Sequence, residues 1–99
     1  MSCMSADEYF GLIGFSKIKE TDTLVMYAKP TMSGLHTISI EYNYSKPGCQ
    51  ELVKSYVDFT PGNPEIYAMS FAEVVAVMRK IVELQVLHDQ YKGLYQKGE

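Results

Sequence analysis

The side chains that could ligate a metal or act as thiol or imidazole catalysts are few: His36, His88, Cys3 and Cys49. Metal centres and thiol catalysts need such residues at short, repeated spacings or in recognisable local settings, and these four are scattered along the chain. His36 reads as a solvated residue opening a strand. His88 falls near a helix C-terminus, where positive charge suits the helix dipole. Cys49 follows Gly48 at a turn with no flanking thiol-enzyme signature, and two free thiols in a reducing cytosol are expected. Glu41, Glu51 and Asp58 fall on outward strand positions and read as solvated charge rather than as an acid–base pair. Gly11 and Gly14 have neither the spacing nor the strand-to-helix setting of a phosphate loop. No catalytic, cofactor-binding or metal-ligating residue is assigned, and the chain reads as non-enzymatic.

Tyrosine is the other chemistry in supply, with eight in 99 residues. Tyr27, Tyr42, Tyr44 and Tyr56 fall on strands, where stacking on nucleic-acid bases is conceivable. Such sites pair aromatic side chains with a basic groove, and here only Lys29, Lys46 and Lys54 lie near. Nine Lys and Arg against twelve Asp and Glu leave a net charge of -3, so nucleic acid is disfavoured as a partner. Packing accounts for most of these rings. Tyr42, Tyr44 and Tyr56 are retained as candidates for a protein-facing patch, since tyrosine anchors interfaces.

The elements that would position these residues follow from capping and periodicity. Ser5-Ala6-Asp7-Glu8 is a capping box, so a short helix begins there, with Tyr9, Phe10, Leu12 and Ile13 apolar and Gly14 as a stop tolerant of positive φ. Phe15–Lys19 and Leu24–Lys29 flank the polar tetrad Glu20-Thr21-Asp22-Thr23 and form a hairpin. The second strand is apolar on both faces and belongs inside the sheet. Lys29–Gly34, with Pro30, Ser33 and Gly34, reads as a loop. In His36–Tyr44, Ile38, Ile40, Tyr42 and Tyr44 alternate with polar residues. A turn at Ser45-Lys46-Pro47-Gly48 leads to a strand over about Gln50–Phe59, and Pro61-Gly62-Asn63-Pro64 ends the sheet.

A second capping box, Ser70-Phe71-Ala72-Glu73, starts a helix that runs without Gly or Pro to about Gln90. Helical spacing groups Phe71, Val74, Val75, Met78, Ile81, Val82 and Gln85 as the stripe that covers the sheet, with Ala72, Ala76, Arg79, Lys80 and Glu83 opposite. Leu84, Leu87, Tyr91 and Leu94, spaced three, four and three, form a further strip predicted to mediate a homodimer. Residues 1–4 and 93–99 read as flexible ends.

A hydrophobic fraction of 46% with 21% charged residues excludes the composition of a disordered chain and fits one domain spanning 1–99. No N-terminal leader pattern or apolar run long enough for a bilayer is present, which predicts a cytoplasmic protein without membrane contact. The expected fold is α+β: a short N-terminal helix, a four-stranded antiparallel sheet and a long C-terminal helix packed on one sheet face.

Tyr9-Phe10, Leu12 and Gly14-Phe15, together with Met69-Ser70-Phe71-Ala72-Glu73-Val74, resemble the opening helix and closing helix of small uncharacterised proteins of phages and prophages of Gram-positive bacteria. The resemblance implies a genomic origin and carries no activity or site residue. The function expected is a protein-interaction module acting on a host or phage protein. The alternative is a small-molecule or nucleotide binder, or a cryptic enzyme, with a pocket between sheet and helix lined by Tyr27, Tyr42 or Tyr56.

Overall fold

The computed structural model describes residues 4–44, 50–60 and 63–96, with side chains described except at 58–60, 63–64 and 88–96. Its elements are α1 (Ala6–Leu12), β1 (Ser16–Glu20), β2 (Leu24–Thr31), β3 (Gly34–Glu41), β4 (Leu52–Thr60), β5 (Asn63–Ile66) and α2 (Phe71–Gln96). The five strands form one antiparallel sheet in the order β1-β2-β3-β4-β5. The class is therefore α+β, with five strands where four are expected.

The extra strand is β5, in which Pro64 pairs with Asp58. Proline lacks an N–H and is excluded from central strands, but an outermost strand leaves one side unpaired and tolerates it. Pro30 is accommodated similarly. It sits in β2 opposite Leu35, beyond Ala28, where the pairing with the first residue of β1 ends, so the expected loop shrinks to a tight turn at Met32 and Ser33. The turn expected at 45–48, Cys49, Cys3, and Pro61 with Gly62 lie outside the described residues.

Local signals set the helix starts. Ser5 Oγ accepts from the Glu8 backbone N–H at 3.1 Å and Glu8 Oε1 from the Ser5 N–H at 3.1 Å. Gly14 ends the first helical segment at φ 96°, in the left-handed region, and its vacant Cβ position lies 3.0 Å from Lys29 Cδ. A side chain there would meet both backbone strain and a neighbour. At α2, Ser70 Oγ accepts from the Glu73 N–H at 3.2 Å while Glu73 Oε1 accepts from the Ser70 N–H at 2.8 Å.

Pairing places Val25, Ile40 and Val53 side by side, and next to them Tyr27, Ile38 and Ser55. These rows share one sheet face. Val25, Tyr27, Ile38 and Ile40 form a single core cluster with Phe10, Phe15, Ala76, Val77 and Leu84. The α2 residues that are buried are Glu73, Ala76, Val77, Lys80 and Leu84. This corrects the expected stripe in part: Ile81 packs against the core cluster and Val74 and Val75 are half-buried, but Phe71, Met78 and Val82 are 84%, 60% and 57% exposed, on the opposite side of the helix. Apolar periodicity misassigns the face because the buried line includes a glutamate and a lysine, each held by partners. The α2 backbone also remains helical through 93–96, beyond the expected stop near Gln90.

Candidate functional site

Three places could carry function: a buried polar cluster, the open sheet face and the outer face of α2.

The capping box of α2 aims the Glu73 carboxylate inward. Its Oε2 lies 3.5 Å from Lys29 Nζ and 3.9 Å from His36 Nδ1. On the other side of the imidazole, Nε2 is 2.7 Å from Ser55 Oγ. Ser55, His36 and Glu73 thus stand in the order of a hydroxyl nucleophile, its base and an orienting carboxylate. The surroundings argue for a different role. His36 is 1% exposed, its ring centroid 5.2 Å from that of Phe15 and 4.6 Å from that of Tyr67. Glu73 also serves its own helix terminus and Lys29. Among the described residues no buried side-chain nitrogen or oxygen lacks a hydrogen-bond partner, so the cluster is a satisfied core network, the condition under which polar burial is tolerated. Burial pushes the His36 imidazole below its ordinary value, Glu73 pulls it up and Lys29 lowers it. The expected solvated strand-opening histidine is corrected accordingly: β3 begins two residues earlier, and His36 is in phase with Ile38 and Ile40 on the core face. Extending that alternation back to His36 is the sequence signal that locates it.

A second polar group joins α1, β1, β2 and α2. Asp7 accepts from the Tyr27 hydroxyl and pairs with Lys17 at 2.9 Å and Lys80 at 3.4 Å. Burial raises the Asp7 carboxyl, but the Tyr27 hydroxyl, Lys17 and Lys80 outweigh it and hold it at about 2. Tyr27 is pushed well up by burial and by donating to Asp7. Glu83 Oε2 accepts from the Ala6 N–H at 2.6 Å, so α2 supplies an acceptor for a free N-terminal donor of α1. These contacts explain why a lysine faces inward on α2.

Among the described residues, Tyr42 and Tyr44 are the expected site residues that stand together. Tyr27 is buried, its ring stacked on Phe10 at 3.8 Å. Tyr42 and Tyr44 are half-buried against the core, with centroids 5.6 Å apart. The Tyr42 hydroxyl donates to the Thr21 carbonyl at 3.1 Å and the Tyr44 hydroxyl to Glu51. Tyr56 pairs in register with Thr37 and faces the opposite side of the sheet. Tyr27 and Tyr56, two of the three tyrosines expected for a pocket between sheet and helix, therefore face opposite sides of the sheet. Leu84 belongs to the core at 8% exposure, Leu87 is 57% exposed, and Tyr91 and Leu94 lie on α2 with side chains outside the described residues.

The face carrying Tyr56 holds a groove of about 680 Å³, lined among others by Leu24, Met26, Tyr56 and Ile66. Among the described residues of its lining, the charged ones are Glu41 and Lys54, which pair with each other at 3.3 Å. Ile66 is 96% and Leu52 52% exposed. The molecule measures 54 × 36 × 20 Å.

Among the described residues no three His, Cys, Asp or Glu side chains are grouped to hold a metal ion, and no helix is long and apolar enough to cross a membrane. No family model, curated protein or solved structure matches the chain.

Proposed function

We propose that this chain is a non-enzymatic protein-interaction module whose open sheet face receives an uncharged, apolar segment of its partner. The observation that supports this reading is the groove of about 680 Å³ bounded by Leu24, Met26, Tyr56 and Ile66. Apolar surface left on one side of a sheet is stabilised by whatever removes it from water. Among the described residues of the lining the charges are the paired Glu41 and Lys54, which favours a neutral segment over a phosphate or an acidic peptide. On this reading α2 lies across the other face, held by Glu73 to Lys29 and by Lys80 to Asp7. The resemblance to phage and prophage proteins supports a bacterial host or phage protein as partner and action in the cytoplasm.

A small apolar molecule is the second reading, because the groove volume falls in the range of about 300–1,000 Å³ common to small-molecule sites. The test compares baits of the wild type, Ile66→Glu, Leu52→Glu and a control, Leu12→Glu, which alters a residue 70% exposed on α1. A protein held equally by wild type and Leu12→Glu, but at least roughly tenfold more weakly by the two sheet variants, supports the module. Capture indifferent to the sheet variants overturns it. Stabilisation of the free protein by small apolar compounds, abolished in Ile66→Glu, supports the second reading instead.

A further inference from the structure

We infer that the outer face of α2 pairs antiparallel with the same face of a second copy, inserting Phe71 of each chain against Val82 of the other.

Phe71, Val75, Met78 and Val82 succeed one another at spacings of four, three and four, the repeat of a two-helix seam. They lie opposite the buried line Glu73, Ala76, Val77, Lys80 and Leu84, so the seam points away from the core cluster, with Met4 beside it. Phe71 is 84% exposed, which leaves most of its ring in water. Beside Val82 on the same helix is a shallow depression of about 430 Å³, lined by Met4, Val75, Met78, Arg79, Val82 and Glu83.

Knob and hollow are therefore carried on one helix, which is the condition for a closed two-fold contact. In an antiparallel seam each position faces its alternate in the partner. The register that sets Phe71 against Val82 also sets Val75 against Met78, so every layer places a large side chain opposite a valine. The strip carries no charge. The charges beside it are engaged within their own chain: Arg79 lies over the Tyr9 ring at 5.1 Å, and Glu83 accepts from the Ala6 N–H. In this register Arg79 approaches Ala72 of the second copy, so no like charges meet. The four residues bring on the order of 400 Å² of exposed surface per copy into the contact, about half the roughly 800 Å² per partner of a standard interface, which implies a weak, concentration-dependent dimer. The strip is distinct from Leu84, Leu87, Tyr91 and Leu94, and from the sheet groove.

Sedimentation velocity on the full chain over a concentration series tests the pairing. Wild type is expected to shift from monomer to dimer mass as concentration rises, and Val82→Glu or Met78→Glu to weaken the dimer at least roughly thirtyfold while circular dichroism and the melting temperature of the monomer stay unchanged. Two double variants, both lacking the Phe71 ring, separate the orientations: in the antiparallel register Phe71→Lys with Val82→Glu sets Lys against Glu and dimerises more tightly than Phe71→Glu with Val82→Glu, whereas a parallel seam sets like charges together in both. A wild type that remains monomeric to about 1 mM, a dimer that survives both Val82→Glu and Met78→Glu, or a Lys–Glu double variant no tighter than the Glu–Glu one overturns the inference. A dimer lost only in Leu87→Glu with Leu94→Glu would transfer the contact to the other strip.

Discussion

The Tyr27 hydroxyl donates to Asp7 Oδ1, tying the middle of β2 to the first turn of α1. Lys80 of α2 and Lys17 of β1 reach the same carboxylate, so four elements meet at one acid. Replacing Tyr27 by Phe keeps the ring stacked on Phe10 and removes only the donor. Because the bond reaches a charged acceptor, Tyr27→Phe is expected to cost about 1–2 kcal/mol in urea unfolding. An unchanged midpoint would mean that the two lysines suffice.

Asp7 also sets an acid limit. Its carboxyl sits at about 2 in the folded chain against an ordinary 3.8, so the unfolded state binds more protons between those values. The stabilisation is complete above about pH 4 and is lost as pH falls through 2. The side chain is 40% exposed, so solvent screening cuts the full linkage value of roughly 2.5 kcal/mol to about 1 kcal/mol. Asp7→Asn should flatten the stability curve in that window; an unaltered slope would contradict the assignment.

His36 acts at milder pH. With the folded imidazole held below its ordinary 6.5, the unfolded chain takes up the proton first. Stability from this group is whole above pH 6.5 and declines as pH falls below it. His36→Gln is expected to be less stable at pH 7, having lost the packing of the ring, but to show a shallower loss between pH 6.5 and 5. His88 remains in both proteins, so the difference reports His36 alone. Equal slopes would place the titration elsewhere.

The orientation of α2 is testable by truncation. Leu84→Ala removes a core side chain and should cost about 2–4 kcal/mol, whereas Val82→Ala should stay within about 0.5 kcal/mol when measured on dilute monomer. The reverse order would restore the stripe expected from apolar spacing alone.

That stripe shows where sequence reasoning reaches its limit. Capping boxes at Ser5 and Ser70, the positive φ at Gly14 and the alternation through Ile38 and Ile40 are local, and each is legible because neighbouring residues decide it. The face of α2 is decided by partners distant in sequence: Lys29 and His36 for Glu73, Asp7 and Glu20 for Lys80. Two charges made inward by long-range pairing look outward in a periodicity count. The strand at Asn63–Ile66 was hidden for a related reason, since Pro64 marks a break unless its strand is known to be outermost. The groove is likewise a product of registration: Leu24, Met26, Tyr56 and Ile66 come from three strands and acquire a common face only once pairing is set.

Methionine methyl resonances offer the most direct measurement of the proposed role, because Met26 lines the sheet groove, Met78 the outer face of α2 and Met69 packs against the core. A methyl-labelled spectrum would be recorded as the protein recovered by the wild-type bait is added to the full chain. The proposed role predicts that Met26 shifts or broadens with saturation while Met69 holds its position, and that Ile66→Glu abolishes the change. A partner that perturbs Met78 alone, or that binds without disturbing Met26, would contradict recognition through the open sheet face.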